Sequence, residues 1–169
     1  MNDDFKTQIS HIFKSRRIPI SEDAIVLLDR IIRAIHERIM MVISEMETFD
    51  IGIIIESIFP EDIGANIQRV QQNWNNMLHF KVPIYTELNI IYEYLVSDIL
   101  DRTIYHETVT AKNIKSVFEY DSGLFKLLYK NRIILLDVED DSIEDFSKGL
   151  QKYIKENPRA FKEFVLTTD

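Results

Sequence analysis

The strongest structural signal in the chain lies between residues 24 and 46, which read AIVLLDRIIRAIHERIMMVISEM. Apolar residues recur there every three or four positions, which is the spacing of one face of an α-helix. One set forms the main stripe and a second set widens it: Ile25, Leu28, Ile32, Ile35, Ile39, Val42 and Met46, then Leu27, Ile31, Met40 and Ile43. A helix that is apolar on two sides needs neighbours on both. We therefore expect this helix to cross a partner helix.

Shorter helices are predicted on both sides of this segment. The residues before it carry one apolar stripe that ends near Lys14. The residues after it, 50–59, are rich in isoleucine, which also suits a buried strand, although we predict a helix capped by Thr48. Pro60 then opens a helix that ends around Met77, because proline is favoured at a helix start.

The same order of lengths recurs in the second half of the chain. Pro83 opens a second long helix, residues 83–102, with one apolar face: Ile84, Leu88, Ile91, Leu95 and Ile99. Thr110 caps a short helix from Ala111 to Phe118, and a further helical segment runs from Leu124 to Tyr129. The sequence therefore predicts an all-α protein that contains two short–long–short helix units.

The C-terminal residues and the composition of the whole chain narrow the class of protein further. Residues 132–136 are typical of a small strand or extended arm, and residues 137–169 of an acidic helical tail. The chain has 20 Lys and Arg against 28 Asp and Glu, a net charge of −8, which opposes nucleic-acid binding by the chain alone. With 4 Gly and 4 Pro it has little material for the turns of an all-β sandwich. The absence of Cys excludes disulfides and cysteine-ligated metals.

The sequence supports neither catalysis nor a cofactor or metal site, so we do not expect an enzyme. The four histidines (His11, His36, His79 and His106) are scattered, and the glycines are too dispersed for a phosphate-binding loop. The apolar runs are too short to cross a bilayer, and the N-terminus lacks the plan of a signal peptide. We therefore expect no membrane association and no secretion.

Two stretches of sequence resemble the histone fold, a short–long–short helix unit that is stable only as an intertwined pair. Ile20-Ser21, Ala24 and Ile35-His36-Glu37-Arg38-Ile39 resemble the long helix of histone 2B, and Ile58-Phe59-Pro60-Glu61 resembles the step into its extra C-terminal helix. Pro83-Ile84-Tyr85, Glu93-Tyr94-Leu95 and Asp98-Ile99-Leu100 resemble the long helix of histone 2A, and residues 121–134 resemble its last helix and docking arm.

The order 2B then 2A in one chain resembles the fused histone doublets of large DNA viruses, in a reduced, acidic form. The resemblance implies two tandem histone folds that form an intramolecular 2B–2A-like pair. Residues 1–80 would be the 2B-like fold, residues 81–136 the 2A-like fold, and residues 137–169 the acidic tail. Residues 60–80 would serve either as the C-terminal helix of the first fold or as the first helix of the second.

The resemblance also implies a surface that contacts DNA. Its residues lie on two loops and the helix ends beside them: Lys14, Arg16, Arg17 and Ser21, then Thr108 and Lys112. The N-terminus of a helix favours phosphate because its free N–H groups and its dipole both attract anions. The plain alternative is a solvated loop that happens to carry three cations.

A second implied surface is the acidic patch of the nucleosome face, which recruits arginine side chains of other proteins. The matching residues are Glu93, Asp98, Asp101 and Asp121. Glu93 and Asp101 are two turns apart and are expected to share one helical face. The plain alternative is an ordinary exposed helix face.

The departures from the family leave two functions open. Basic tails are absent, and Glu107 stands where the family places an arginine that enters the DNA minor groove. The first hypothesis is a histone-like protein that joins another histone pair or fused doublet and packages double-stranded DNA through phosphate and minor-groove contacts. It would act in a viral factory, the host nucleus or cytoplasm, or the virion. The second is an acidic histone-fold module that binds partner histones or transcription factors without direct DNA contact.

Overall fold

The computed structural model describes residues 5–74, 77–82 and 84–133, and over these ranges the protein is all-α, as predicted. The helices are α1 Lys6–Ser15, α2 Glu22–Ser44, α3 Ile51–Ile58, α4 Glu61–Asn73, α5 Asn89–Thr103, α6 Ala111–Tyr120 and α7 Ser122–Lys130, with a 3-10 turn at Thr86–Leu88. None of these helices is both long enough and apolar enough to span a membrane. The acidic tail predicted at 137–169, and the predicted arm after Ile133, lie outside the described residues.

Helices α1 and α2 form where the apolar stripes and caps predict them. The Ser21 side chain accepts a hydrogen bond from the Ala24 N–H, and both apolar sides of α2 are largely buried, although Met40 is exposed. The start of α1 is tied to the first half of α2, because the Phe5 N–H donates to Asp29 Oδ1 at 2.8 Å. Asp29 is fully buried and also pairs with Arg33 one turn further along α2. This carboxylate therefore satisfies a helix-start N–H that would otherwise lack an acceptor.

The isoleucine-rich segment is a helix, as predicted, but two of the predicted boundaries nearby are wrong. The cap of α3 is Asp50 rather than Thr48, because the Asp50 carboxylate accepts the Gly52 and Ile53 N–H groups at 2.9 and 3.3 Å. Helix α4 ends at Asn73 rather than around Met77. Trp74 already has an extended backbone (φ −77°, ψ 118°), so the helical hydrogen-bond pattern stops there.

The second long helix is shorter than predicted and begins later. Helix α5 starts at Asn89, whereas Ile84, predicted on its apolar face, lies before the helix and is exposed. Tyr85 adopts a left-handed conformation (φ 57°, ψ 60°), which an α-helix does not accommodate. The Val82 N–H donates to the Asn89 side chain at 2.7 Å, which fixes the extended chain against the start of α5.

The two halves of the chain share one hydrophobic core. Its members come from all seven helices and from the linker that joins the halves. Helices α2 and α5 meet where His36 Nδ1 lies 2.5 Å from Tyr92 Oη, and the Phe5 ring packs against both side chains. Helix α2 also packs against α6, and α1 against α5. Each long helix thus buries part of its surface against elements of the other half.

Loops and helix ends join the halves at two further places. Ile20 and Val109 form an isolated parallel β-bridge between the α1–α2 loop and the α5–α6 loop. On the other pair of loops, Phe49 stacks on Tyr85 with ring centroids 4.9 Å apart. Each of these contacts joins a loop of the first half to a loop that is distant in sequence.

Helix α7 closes the core by docking its C-terminal end on α3. The Lys130 ammonium donates to the carbonyls of Glu56 and Phe59, and the Asn131 side chain donates to the Ile58 carbonyl at 2.8 Å. These donors satisfy the free carbonyls that end a helix. Burial lowers the pKa of Lys130, and the nearby Glu56 carboxylate opposes that shift.

Candidate nucleic-acid interface

The two loops predicted to contact DNA lie side by side. The Val109 N–H donates to the Pro19 carbonyl, and the Ser21 N–H donates to the Val109 carbonyl, both at 2.9 Å. Ser21 and Thr108 therefore flank one β-bridge although they belong to different halves of the chain. All six predicted residues occupy this end of the molecule, on the joined loops or in the helix turns next to them: Lys14, Arg16, Arg17, Ser21, Thr108 and Lys112.

The cations at this end differ in their surroundings. Lys14, Arg17 and Lys112 are exposed, and Arg17 has a left-handed backbone (φ 57°). Arg16 is also exposed but pairs with Asp101 of α5, with 2.5 Å between Nη2 and Oδ1. Because that ion pair lies at the surface, water and salt screen it strongly. The ion pair engages the Arg16 guanidinium, which the sequence analysis predicted to bind a phosphate.

Acidic side chains surround the same loops. Glu22 and Asp23 form the first turn of α2, and the Ser21 hydroxyl donates to the Asp23 carboxylate. Glu107, on the second loop, is exposed. These carboxylates reduce the positive potential that the helix N-terminus and the basic loop would otherwise present. The interface therefore carries basic and acidic side chains together, and its net charge is small.

The predicted acidic patch does not form one continuous exposed surface, and the expectation for Glu93 is wrong. Glu93 is buried, with a side chain only 3% exposed. Its Oε1 accepts the His79 and Phe80 N–H groups at 2.7 and 3.0 Å, and its Oε2 lies 2.8 Å from His79 Nδ1. Glu93 thus holds residues 77–82 against α5. The apolar pattern of α5 gave no sign of this contact.

The other three predicted acidic residues are each paired with an arginine. Arg102 binds Asp98, and its Nε donates to Asp121 Oδ2 at 2.9 Å. Asp121 also caps α7 through the Leu124 N–H, and Asp101 holds Arg16. Burial raises the pKa of Asp98, and the hydrogen bond and charge of Arg102 oppose that shift. The structure therefore neutralises most of the charge that the sequence predicted to be available to a partner.

A groove of about 420 Å³ opens next to these residues, between α1, the end of α4 and α5. Ile12, Trp74 and Met77 supply apolar walls, and Asp98 lies among the polar ones. Trp74 Nε1 and Asp98 Oδ2 are buried without a hydrogen-bond partner. The sequence predicted Trp74 as a packing residue, and its position on an apolar helix face gave no signal of a groove.

Three apolar side chains are exposed elsewhere on the molecule. Met40 and Met41 near the end of α2 and Ile53 on α3 are exposed, and these two helices pack against each other. A contiguous apolar patch is typical of surfaces that contact other proteins, whereas single exposed apolar side chains are common on any surface. The sequence predicted Met40 as part of the buried stripe, so its exposure is a correction.

Within the described ranges, no cluster of three or more His, Asp or Glu side chains has the arrangement of a metal site. Comparisons with protein-family models, with curated proteins and with solved structures find no match for this chain.

Proposed function

We propose that the chain is a histone-like structural protein, a fused 2B–2A-type pair of virus-encoded origin that joins another histone pair or doublet in packaging double-stranded DNA. The observation that carries the proposal is the β-bridge between Ile20 and Val109. It unites two loops from different halves into one surface bearing Arg17, Ser21 and Lys112. Paired loops beside a helix N-terminus suit sequence-independent contact with phosphates and the minor groove.

The contact between the two long helices supports the same proposal. The resemblance to histones implies an obligate pair of folds, and α2 and α5 meet at His36 and Tyr92 inside one shared core. Covalent fusion of two such folds makes their association independent of dilution. Residues 61–73, which form α4, contact both α3 and α5, so this helix serves both halves.

The charge of the chain limits how it reaches DNA. A net charge of −8 and the Arg16–Asp101 pair both oppose phosphate binding by the isolated protein. A partner with a basic surplus would supply the missing attraction. Met40, Met41 and Ile53 are the side chains we assign to contact with that partner, because they are exposed and apolar.

A gel-shift assay tests the proposal. The chain is mixed with a DNA duplex of about 150 base pairs at ~150 mM salt, alone and with a tetramer of core histones 3 and 4 as the probe partner. We expect no shift by the chain alone and a joint complex with the tetramer. Substituting Met41→Glu is expected to remove the chain from that complex. Tight binding of DNA by the isolated chain would contradict the proposal.

A second candidate function is an acidic histone-fold module that binds partner proteins without touching DNA. The capture of Arg16 by Asp101 and the acidic Glu107 on the second loop favour it. The double variant Arg16→Glu/Arg17→Glu separates the two functions, with Lys81→Glu/Lys126→Glu as a charge-matched control away from the loops. Loss of assembly on DNA by the first variant alone supports the histone-like function. Equal behaviour of both variants supports the module.

A further inference from the structure

The last described residues of the chain are held between the C-terminal half of α2 and α3. Arg38 Nε of α2 donates to the Asn131 carbonyl at 2.7 Å, and the Asn131 side chain donates to the Ile58 carbonyl of α3. Ile133 is buried, and its N–H donates to a carbonyl of α7 at 2.9 Å. This point, residues 131–133, is the chain exit, and its position fixes where the rest of the chain begins.

Exposed apolar side chains flank the chain exit on both helices that hold it. The Arg38 guanidinium also reaches the Met41 sulfur, with 3.9 Å between Nη1 and Sδ, and Met41 is 60% exposed. On the other helix, the Lys130 ammonium donates to the Glu56 carbonyl, and the exposed Ile53 lies one turn away along α3. A segment that continues from the exit therefore starts next to both side chains.

The sequence after the exit supplies an apolar face of matching kind. Within residues 142–156, apolar residues recur every three or four positions, as on one face of a helix: Ile143, Phe146, Leu150 and Ile154. An isolated helix of about 15 residues is only marginally stable in water, so such a face needs a surface to pack on. Residues 134–141 join it to the exit and extend to at most roughly 27 Å, which is ample reach.

Charge favours a tail that folds back over the exit. Arg38, Lys130 and Arg132 contact the exit or belong to it or adjoin it in sequence, so its surroundings carry positive charge. Four of the five residues 137–141 are acidic. Adjoining stretches of opposite charge attract each other, although salt weakens the attraction between exposed groups.

We propose that the apolar face of residues 142–156 packs on Met40, Met41 and Ile53 in the free chain and competes with the partner for these side chains. The competition rests on the function proposed above, whereas the docking of the tail does not. A short tether gives the tail an effective concentration of about millimolar, so a weak apolar contact is enough. A partner with a basic surplus attracts the acidic tail and uncovers the three side chains only where that partner is present.

An introduced pair of thiols tests the docking in the full chain, because the chain has no cysteine of its own. Met41→Cys/Leu150→Cys is treated with a mild oxidant, and the rate of disulfide formation within one chain is measured. The control is Tyr105→Cys/Leu150→Cys. Tyr105 is also exposed, but its loop is bridged to the residues before α2, about 30 Å along that helix from Met41.

We expect the disulfide to form several-fold faster in the Met41 pair than in the Tyr105 pair. Equal rates would overturn the docking of the tail. A disulfide that forms mainly between two chains in the Met41 pair would also overturn it, because a second copy would then be the occupant of this surface.

A second measurement tests the competition. Phe146→Asp/Leu150→Asp is expected to join the tetramer of histones 3 and 4 on DNA with several-fold higher affinity, because the tail no longer covers Met41. Ser147→Asp/Gln151→Asp adds the same charge at polar positions and is expected to bind as the unsubstituted chain does. Equal affinities of the two variants would overturn the competition. If no form of the chain joins the tetramer, the histone-like function fails, and the disulfide rates still decide whether the tail docks.

Discussion

The two halves of the molecule begin in different ways, although both beginnings are held by α5. The first half begins with a complete helix, α1, whose C-cap residue Arg16 reaches α5 through the exposed pair with Asp101. The second half begins with an extended segment, residues 77–82, that is held by the buried Glu93. Both deliver an aromatic ring, Phe5 or Phe80, to the same contact with Tyr92.

This difference shows what a helix supplies besides apolar side chains. A helix satisfies most of its own N–H groups, so α1 needs an outside acceptor only at its start, where Asp29 accepts the Phe5 N–H. An extended segment packed on the core leaves its N–H groups without internal acceptors, so it needs acceptors from elsewhere. Glu93 and Asn89 on α5 provide them for His79, Phe80 and Val82. The second half thus begins with a non-helical segment, residues 77–82, which hydrogen bonds from Glu93 and Asn89 hold against α5.

The largest expected effect comes from removing the ring that the pinned segment delivers. Phe80→Ala is expected to lower the free energy of unfolding by about 3–5 kcal/mol, because the ring is fully buried. Phe5→Ala is the matched variant, and a similar loss is expected if the two beginnings do the same work. Urea denaturation of both variants measures this. A loss below about 1 kcal/mol for Phe80→Ala would show that the segment is not part of the core.

The next effect comes from the acceptor that holds the segment. Glu93→Ala leaves two N–H groups without a partner, and we expect a loss of about 2–4 kcal/mol. Glu93→Gln keeps one acceptor oxygen and is expected to lose less. Glu87→Ala is the control, because Glu87 is an exposed acid two residues before α5, and its loss is expected to stay within about 0.5 kcal/mol. Equal stability of the Glu93 and Glu87 alanine variants would show that Glu93 does not hold residues 77–82 against α5.

A smaller effect is expected at Asp98. On α5 it lies between Glu93, whose side chain is 3% exposed, and Asp101, whose side chain is 58% exposed, and its own side chain is 16% exposed. Burial raises the pKa of Asp98 in the folded protein, so folding favours its protonated form. Its contribution to stability is therefore complete below the ordinary carboxyl pKa and is lost as pH rises through the raised value. Denaturation across acidic pH is expected to show the unsubstituted chain losing stability relative to Asp98→Asn as pH rises. The opposite trend would mean that Arg102 dominates.

The smallest effect on stability is expected at the exposed end of this series. Asp101→Asn breaks the pair with Arg16 and is expected to change the free energy of unfolding by at most about 1 kcal/mol. It also frees Arg16, so we expect DNA affinity of the complex with the histone 3 and 4 tetramer to rise several-fold. Glu107→Gln removes the same charge without freeing an arginine and is expected to give a smaller rise. A gel shift that shows equal rises for the two variants would argue against capture of Arg16.

The parts of this fold that depend on local chemistry were predictable from the sequence. Ser21 caps α2, and Thr110 caps α6 in a reciprocal box with Asn113, because these side chains reach N–H groups three residues away. The isoleucine spacing correctly predicted a long, doubly buried α2. No local pattern in the sequence indicated that the two candidate DNA loops lie side by side, because their contact joins residues 20 and 109.

The misplaced features depend on contacts between distant residues. The late start of α5 follows from the bond between Val82 and Asn89 and from the conformation of Tyr85. The burial of Glu93 follows from the N–H groups of a linker that its own helix pattern does not reveal. Arg16 and Asp101 are 85 residues apart, so no spacing rule pairs them. The neutralisation of Arg16 by Asp101 therefore could not be predicted from any sequence motif.

The bridge between Ile20 and Val109 has a consequence for synthesis on the ribosome. A chain grows at roughly 5–20 residues per second, so the partner of the first loop emerges several seconds after the loop itself. During that interval the apolar side of α2 that packs against α6 is exposed to solvent. The nascent protein is then a target for chaperones and for aggregation, and slower translation of the second half would lengthen that exposure.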